Sequence, residues 1–69
     1  MDCYGILKVT EEQYHTLDSS YLLRKKRESY GYRILTTQKQ FYQENMPELV
    51  IEKCNIDEII LMMTKGEVL

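Results

Sequence analysis

Four consecutive cations, Arg24-Lys25-Lys26-Arg27, are the residues whose types and spacing come nearest to a chemistry. Such a run neutralises phosphates, and Tyr21, Tyr30 and Tyr32 lie close enough in sequence to stack on bases. The competing reading is a solvated helix end, where the dipole favours positive charge. Residues 24–33 hold five cations and one acid, yet the segments on both sides are net acidic and the whole chain carries −2. Non-specific affinity for nucleic acid grows with the number of phosphates neutralised, so a small nucleic-acid-binding module using residues 24–27 takes second place.

No other grouping reaches a reaction. His15 is the sole histidine and reads as a solvated or half-buried helix residue, because no Cys/His spacing supplies further metal ligands. Cys3 and Cys54 have neither metal-motif nor redox-motif spacing, and each borders apolar residues, where a reduced cysteine packs as a small hydrophobe. A disulfide between them is the minor alternative. The three glycines are scattered singly, which excludes a glycine-rich phosphate loop. No motif orients a cysteine–histidine pair, and spacing selects no pair of carboxylates. The expectation is a non-enzymatic protein with no catalytic, cofactor-binding or metal-binding residues.

Six tyrosines beside one phenylalanine and no tryptophan suit a protein surface, since tyrosine joins a large apolar body to a polar tip. With the small size, this points to a protein-binding regulator, adaptor or inhibitor, by analogy with the accessory proteins that phages and mobile elements direct at a host factor. The candidate partner-binding residues are Tyr21, Arg24, Lys25, Lys26, Arg27, Tyr30, Tyr32, Leu61 and Met62. No basic stretch precedes an apolar run at the N-terminus, and no apolar stretch approaches the roughly 20 residues that span a bilayer. A cytoplasmic protein with free thiols and no membrane partner follows from that reading.

The elements that must position these residues are marked by helix caps. Thr10 with Gln13 forms a capping box, Val9 and Tyr14 are placed to staple it, and Glu11 and Glu12 face the positive end of the dipole. The same grammar recurs at Thr37, Gln40 and Phe41, and at Asn55, Glu58 and Ile59. Tyr4-Gly5 before the first box and Tyr30-Gly31 before the second form an internal echo. A strand is expected over residues 3–9, then a helix from Glu11 to about residue 27 with a weak point at Ser19-Ser20. The rival is a short helix to Asp18 followed by a strand over Tyr21–Lys25. Ser29-Tyr30-Gly31 supplies a turn, residues 32–36 a second strand, and residues 48–53 a third, after a short helix stopped by Met46-Pro47.

Residues 57–64 are the ambiguous stretch, and the cap at Asn55 with the stop at Gly66 favours helix over strand. Ile56, Ile59, Ile60 and Met63 would then face the sheet, leaving Leu61 and Met62 outward beside Val68 and Leu69. A domain this small has no cover for that surplus, which predicts a homodimer. The fold expected is α+β, or a small α/β, as a single domain over residues 1–69. It would hold about three strands with helices following them, and any helix that crosses between parallel neighbours would make a right-handed connection.

Overall fold

Thr10 opens the first helix as its chemistry requires. In a computed structural model describing residues 3–68, the Gln13 N–H donates to Thr10 Oγ1 at 3.1 Å and the Thr10 N–H donates to Gln13 Oε1 at 2.9 Å. This helix, α1 (Glu11–Thr16), follows strand β1 (Gly5–Val9). It ends early because Leu17 is extended and the Asp18 carboxylate accepts the Ser20 N–H at 2.9 Å, an Asx turn that redirects the chain. The chain continues through β2 (Leu22–Glu28), β3 (Gly31–Thr36), α2 (Lys39–Asn45), β4 (Val50–Lys53), α3 (Ile56–Lys65) and β5 (Glu67–Val68).

The five strands form one sheet in the order β4-β1-β3-β2-β5, and every neighbouring pair is antiparallel. In β1-α1-β2 the two strands are parallel but separated by β3; in β3-α2-β4 they are parallel but separated by β1. Two interlocked split β-α-β units make the topology called ferredoxin-like, here with α3 and β5 added after it. The echo between Tyr4-Gly5 and Tyr30-Gly31 falls on β1-α1 and β3-α2, the equivalent parts of the two units.

Three layers result. Leu7, Val9, Leu22, Ile34, Tyr42 and Leu49 form the core beneath α1 and α2, with Tyr14, Leu17, Tyr32 and Phe41 packed against it. On the opposite face Ile6, Leu35, Cys54 and Met62 cluster beneath α3, joined by Leu23 and Ile59. The pleat explains the division, since Ile6 and Leu7 point to opposite faces, as do Ile34 and Leu35. A bulge between Leu22 and Arg24 sends Leu22 to the first core and Leu23 to the second. At the β2–β3 hairpin Gly31 has φ +145°, and a Cβ there would collide with the Val9 carbonyl.

The sequence expectations need correction here at several points. Among the described residues there are five strands rather than about three, and the strands joined by α1 and by α2 are parallel but not neighbours. The long helix to residue 27 is replaced by the rival pattern, a short helix and then a strand, with bounds Glu11–Thr16 and Leu22–Glu28. Thr37 caps nothing: Gln38 stands at the start of α2 without a side-chain cap, and its N–H goes to Thr36 Oγ1 at 3.0 Å. The sheet-facing residues of α3 are Met62 and Ile59, with Ile56, Ile60 and Met63 exposed. The helical reading of this segment holds, with Glu58 N–H donating to Asn55 Oδ1 at 2.8 Å. Leu69 lies outside the described residues.

Two expectations follow. Thr10→Ala should lower stability by about 1 kcal/mol, whereas Thr37→Ala should change it by less than about 0.5 kcal/mol, as read by denaturant melts. The second concerns Tyr42, whose hydroxyl donates to the Asp18 carbonyl at 2.7 Å and whose phenol burial pushes above its ordinary 10.0. The folded state therefore holds this proton more tightly than the unfolded chain. That contribution is complete below about pH 10 and is lost as pH rises through the raised value. Tyr42→Phe should show a smaller alkaline fall in melting temperature than the natural chain, at a loss near neutrality of about 1 kcal/mol.

Candidate interaction surfaces

Because residues 24–27 lie in a strand, the basic run is split between the two faces of the sheet. Lys25 and Arg27 share the α1 face with Tyr14 and Tyr32. Lys25 Nζ donates to Tyr14 Oη at 3.1 Å and sits 4.9 Å and 5.4 Å from the centroids of the Tyr14 and Tyr32 rings. Arg27 Nη1 donates to Tyr32 Oη at 3.1 Å, and its guanidinium lies 5.6 Å from that ring. The two tyrosine rings are 4.5 Å apart, and Glu11 of α1 stands 3.8 Å from Arg27. The hydrogen bond to Tyr14 holds the Lys25 ammonium above its ordinary pKa. This cluster closes on itself: both hydroxyls accept from its own cations, and it fastens α1 to the β2–β3 hairpin.

On the other face Lys8, Arg33 and Lys26 stand in one row across β1, β3 and β2, since Arg33 is in register with both lysines. Two of the three are paired, Lys8 with Glu52 at 3.3 Å and Arg33 with Glu58 at 2.9 Å. Lys26 is exposed and makes no ion pair among the described residues. Arg24, at the bulge, donates from Nη1 to the Leu23 carbonyl at 3.1 Å. Its Cβ lies 3.1 Å from where a Cβ on Gly66 would sit, so glycine at the end of α3 leaves room for it. Tyr21 packs edge-on against Phe41 at 4.9 Å, and Tyr30 is exposed at the hairpin turn. The structure thus unites Lys25, Arg27 and Tyr32, and it disperses Arg24, Lys26, Tyr21 and Tyr30.

The largest apolar exposure is on α3. Ile56, Ile60, Leu61 and Met63 are 57%, 55%, 40% and 44% exposed, while Met62 is 2% exposed. Met62 therefore belongs to the core and is corrected from an outward-facing residue; Leu61 faces outward as expected. Glu58, paired with Arg33, and Met62, packed on Ile6 and Leu35, share the line facing the sheet, which leaves Ile56, Ile60 and Met63 turned away. Sequence reasoning missed those three. A signal was available, since six of the ten residues of α3 are Ile, Leu or Met, more than one face of a short helix can hide.

Cys3 is exposed and Cys54 buried, and both thiols are free; burial raises the Cys54 pKa. His15 is exposed on α1. Among the described residues no pocket is formed and no three His, Cys, Asp or Glu side chains gather as metal ligands would.

Glu58→Gln should destabilise the protein by about 1–2 kcal/mol, because it leaves a half-buried guanidinium whose Nε already lacks a partner. Glu52→Gln, at the more exposed pair, should change stability by less than about 0.5 kcal/mol in the same melts. Set against models of protein families, curated proteins and solved structures, the chain matches none.

Proposed function

We propose that this chain is a protein-binding domain acting as a regulator, adaptor or inhibitor rather than an enzyme, with α3 as its contact surface. One observation carries the reading: α3 buries only Met62 fully yet presents Ile56, Ile60, Leu61 and Met63 to solvent. Adjacent exposed apolar side chains on one rigid element lose water favourably when another protein covers them. The proposal extends to a cytoplasmic location, on the reading of Cys3 and Cys54 as reduced thiols, and to an inhibitor of the kind phages carry, by analogy of size. No helix among the described residues is long and apolar enough to cross a membrane.

The second reading, a nucleic-acid module, draws on the row of Lys8, Arg33 and Lys26. Pairing of two members with Glu52 and Glu58 weakens it, since those cations already have counter-charges.

The test compares the immobilised natural chain with Ile60→Lys/Leu61→Lys, both positions being exposed so that the fold should persist by circular dichroism. Protein retained after nuclease treatment and lost with the double variant, a second copy of this chain included, is the expected result. Retention that disappears with nuclease, survives the α3 substitutions and falls with Lys26→Gln would overturn the reading in favour of nucleic acid.

A further inference from the structure

We infer that α3 has two packing registers on the sheet, one residue apart, and that the Arg33–Glu58 pair selects the one observed. In α3, Glu58 meets Arg33, while Ile59 and Met62 pack on the cluster of Ile6 and Leu35. The residues that follow these three in sequence are Ile59, Ile60 and Met63. Advancing the helix by one residue is a screw of about 1.5 Å along its axis and about 100° around it. That screw sets Met63 in the place of Met62 and Ile60 in the place of Ile59. Each exchange puts a side chain where an identical one stood. The one change of chemistry beneath the helix is at Glu58, whose place over Arg33 goes to Ile59.

The doubled Ile59-Ile60 and Met62-Met63 thus suit the core in either register, and charge separates the two. In the observed register Arg33 Nη2 donates to Glu58 Oε2 at 2.9 Å, while Arg33 Nε is buried without a partner among the described residues. In the advanced register the guanidinium would face an isoleucine and lose its counter-charge, which opposes that register. Both caps belong to the helix and travel with it: Asn55 Oδ1 accepts the Glu58 N–H, and the Gly66 N–H donates to the Met62 carbonyl. Cys54 and the Gly66–Glu67 junction take up the shift. On the outside, Asp57, Leu61, Met62 and Thr64 would replace Ile56, Ile60, Leu61 and Met63, so two of four apolar side chains give way to polar ones. The pair therefore selects between two surfaces. Its effect on binding rests on α3 being the contact surface, whereas the register does not.

Oxidation by hydrogen peroxide, read by tandem mass spectrometry, reports the register. Peroxide gives one oxygen to a methionine thioether, leaving a sulfoxide and water, and the exposed thioether reacts first. In the natural chain Met63, 44% exposed, should oxidise about tenfold or more faster than Met62, 2% exposed. Glu58→Ile with Ile59→Glu moves the carboxylate by one residue at constant composition. In the advanced register this swapped chain regains the pair with Arg33, so it should melt cooperatively and oxidise Met62 about tenfold or more faster than Met63. Arg33→Leu removes what selects the observed register and should shift the ratio of the two rates toward Met62 by about threefold or more. A swapped chain that does not fold, that oxidises both methionines alike or that keeps Met63 the faster overturns the inference. A folded Arg33→Leu chain with the natural ratio does the same. Protein retained by the natural chain should be lost to the swapped one. Retention unchanged beside an inverted methionine ratio would support the two registers while removing Ile56 and Met63 as contacts.

Discussion

β1 and β3 are covered on both faces, and the rest of the chain answers to that constraint. Ile6, Leu7, Ile34 and Leu35 are fully excluded from water, two on each side of the sheet. Each such side chain contributes about 1.5–3 kcal/mol by leaving water, so exposing either face would remove a large share of a small domain's stability. α1 and α2 can cover one side only, because both belong to the split β-α-β units that lie there. The other side needs α3. A helix that looks like an appendage to a complete four-stranded topology is therefore required by the apolar pairs at residues 6–7 and 34–35.

The legible parts of the fold were those decided within a few residues. Thr10 with Gln13 and Asn55 with Glu58 are local caps, and both helices start where these residues place them. Thr37 with Gln40 carries the same pattern but does no capping, because the neighbouring Thr36 is held in the core. Its hydroxyl donates to the Tyr21 carbonyl at 2.7 Å and accepts the Gln38 N–H. β2 was legible only as the rival strand over Tyr21–Lys25, for a different reason. A segment reading Arg-Lys-Lys-Arg has poor strand propensity, and it becomes a strand through pairing with β3 and β5 and through the tyrosines beneath Lys25. β5 has two residues, too few to leave any period in the sequence.

Strand geometry also changes what the basic run means. On a solvated helix end, four consecutive cations, about 100° apart, would spread around the surface as a single field. In β2 they alternate, and each half meets its own surroundings. Lys25 and Arg27 are absorbed by Tyr14, Tyr32 and Glu11, while Arg24 and Lys26 join a face where Glu52 and Glu58 already balance Lys8 and Arg33. The candidate site read from charge alone thus became a set of structural contacts, with Lys26 the member left without an ion pair or a side-chain hydrogen bond among the described residues.

The rotation of α3 decides which surface the protein offers, and a bond across 25 residues joins the packing of Met62 and Ile59 in holding it. Glu58 does two jobs: its N–H is capped by Asn55, and its carboxylate reaches Arg33 on the central strand β3. Helical periodicity alone ranked Ile56, Ile59, Ile60 and Met63 as the buried face because they form the most hydrophobic stripe. Burying that stripe would have turned Glu58 away from Arg33, leaving a half-buried guanidinium without its counter-charge, and would have turned Met62 away from Ile6 and Leu35. The fold instead pairs Arg33 with Glu58 and covers Ile6 and Leu35 with Met62 and Ile59. Its consequence is an apolar surface on the outside of α3, so the contacts that secure the helix to the sheet also leave Ile56, Ile60 and Met63 facing outward.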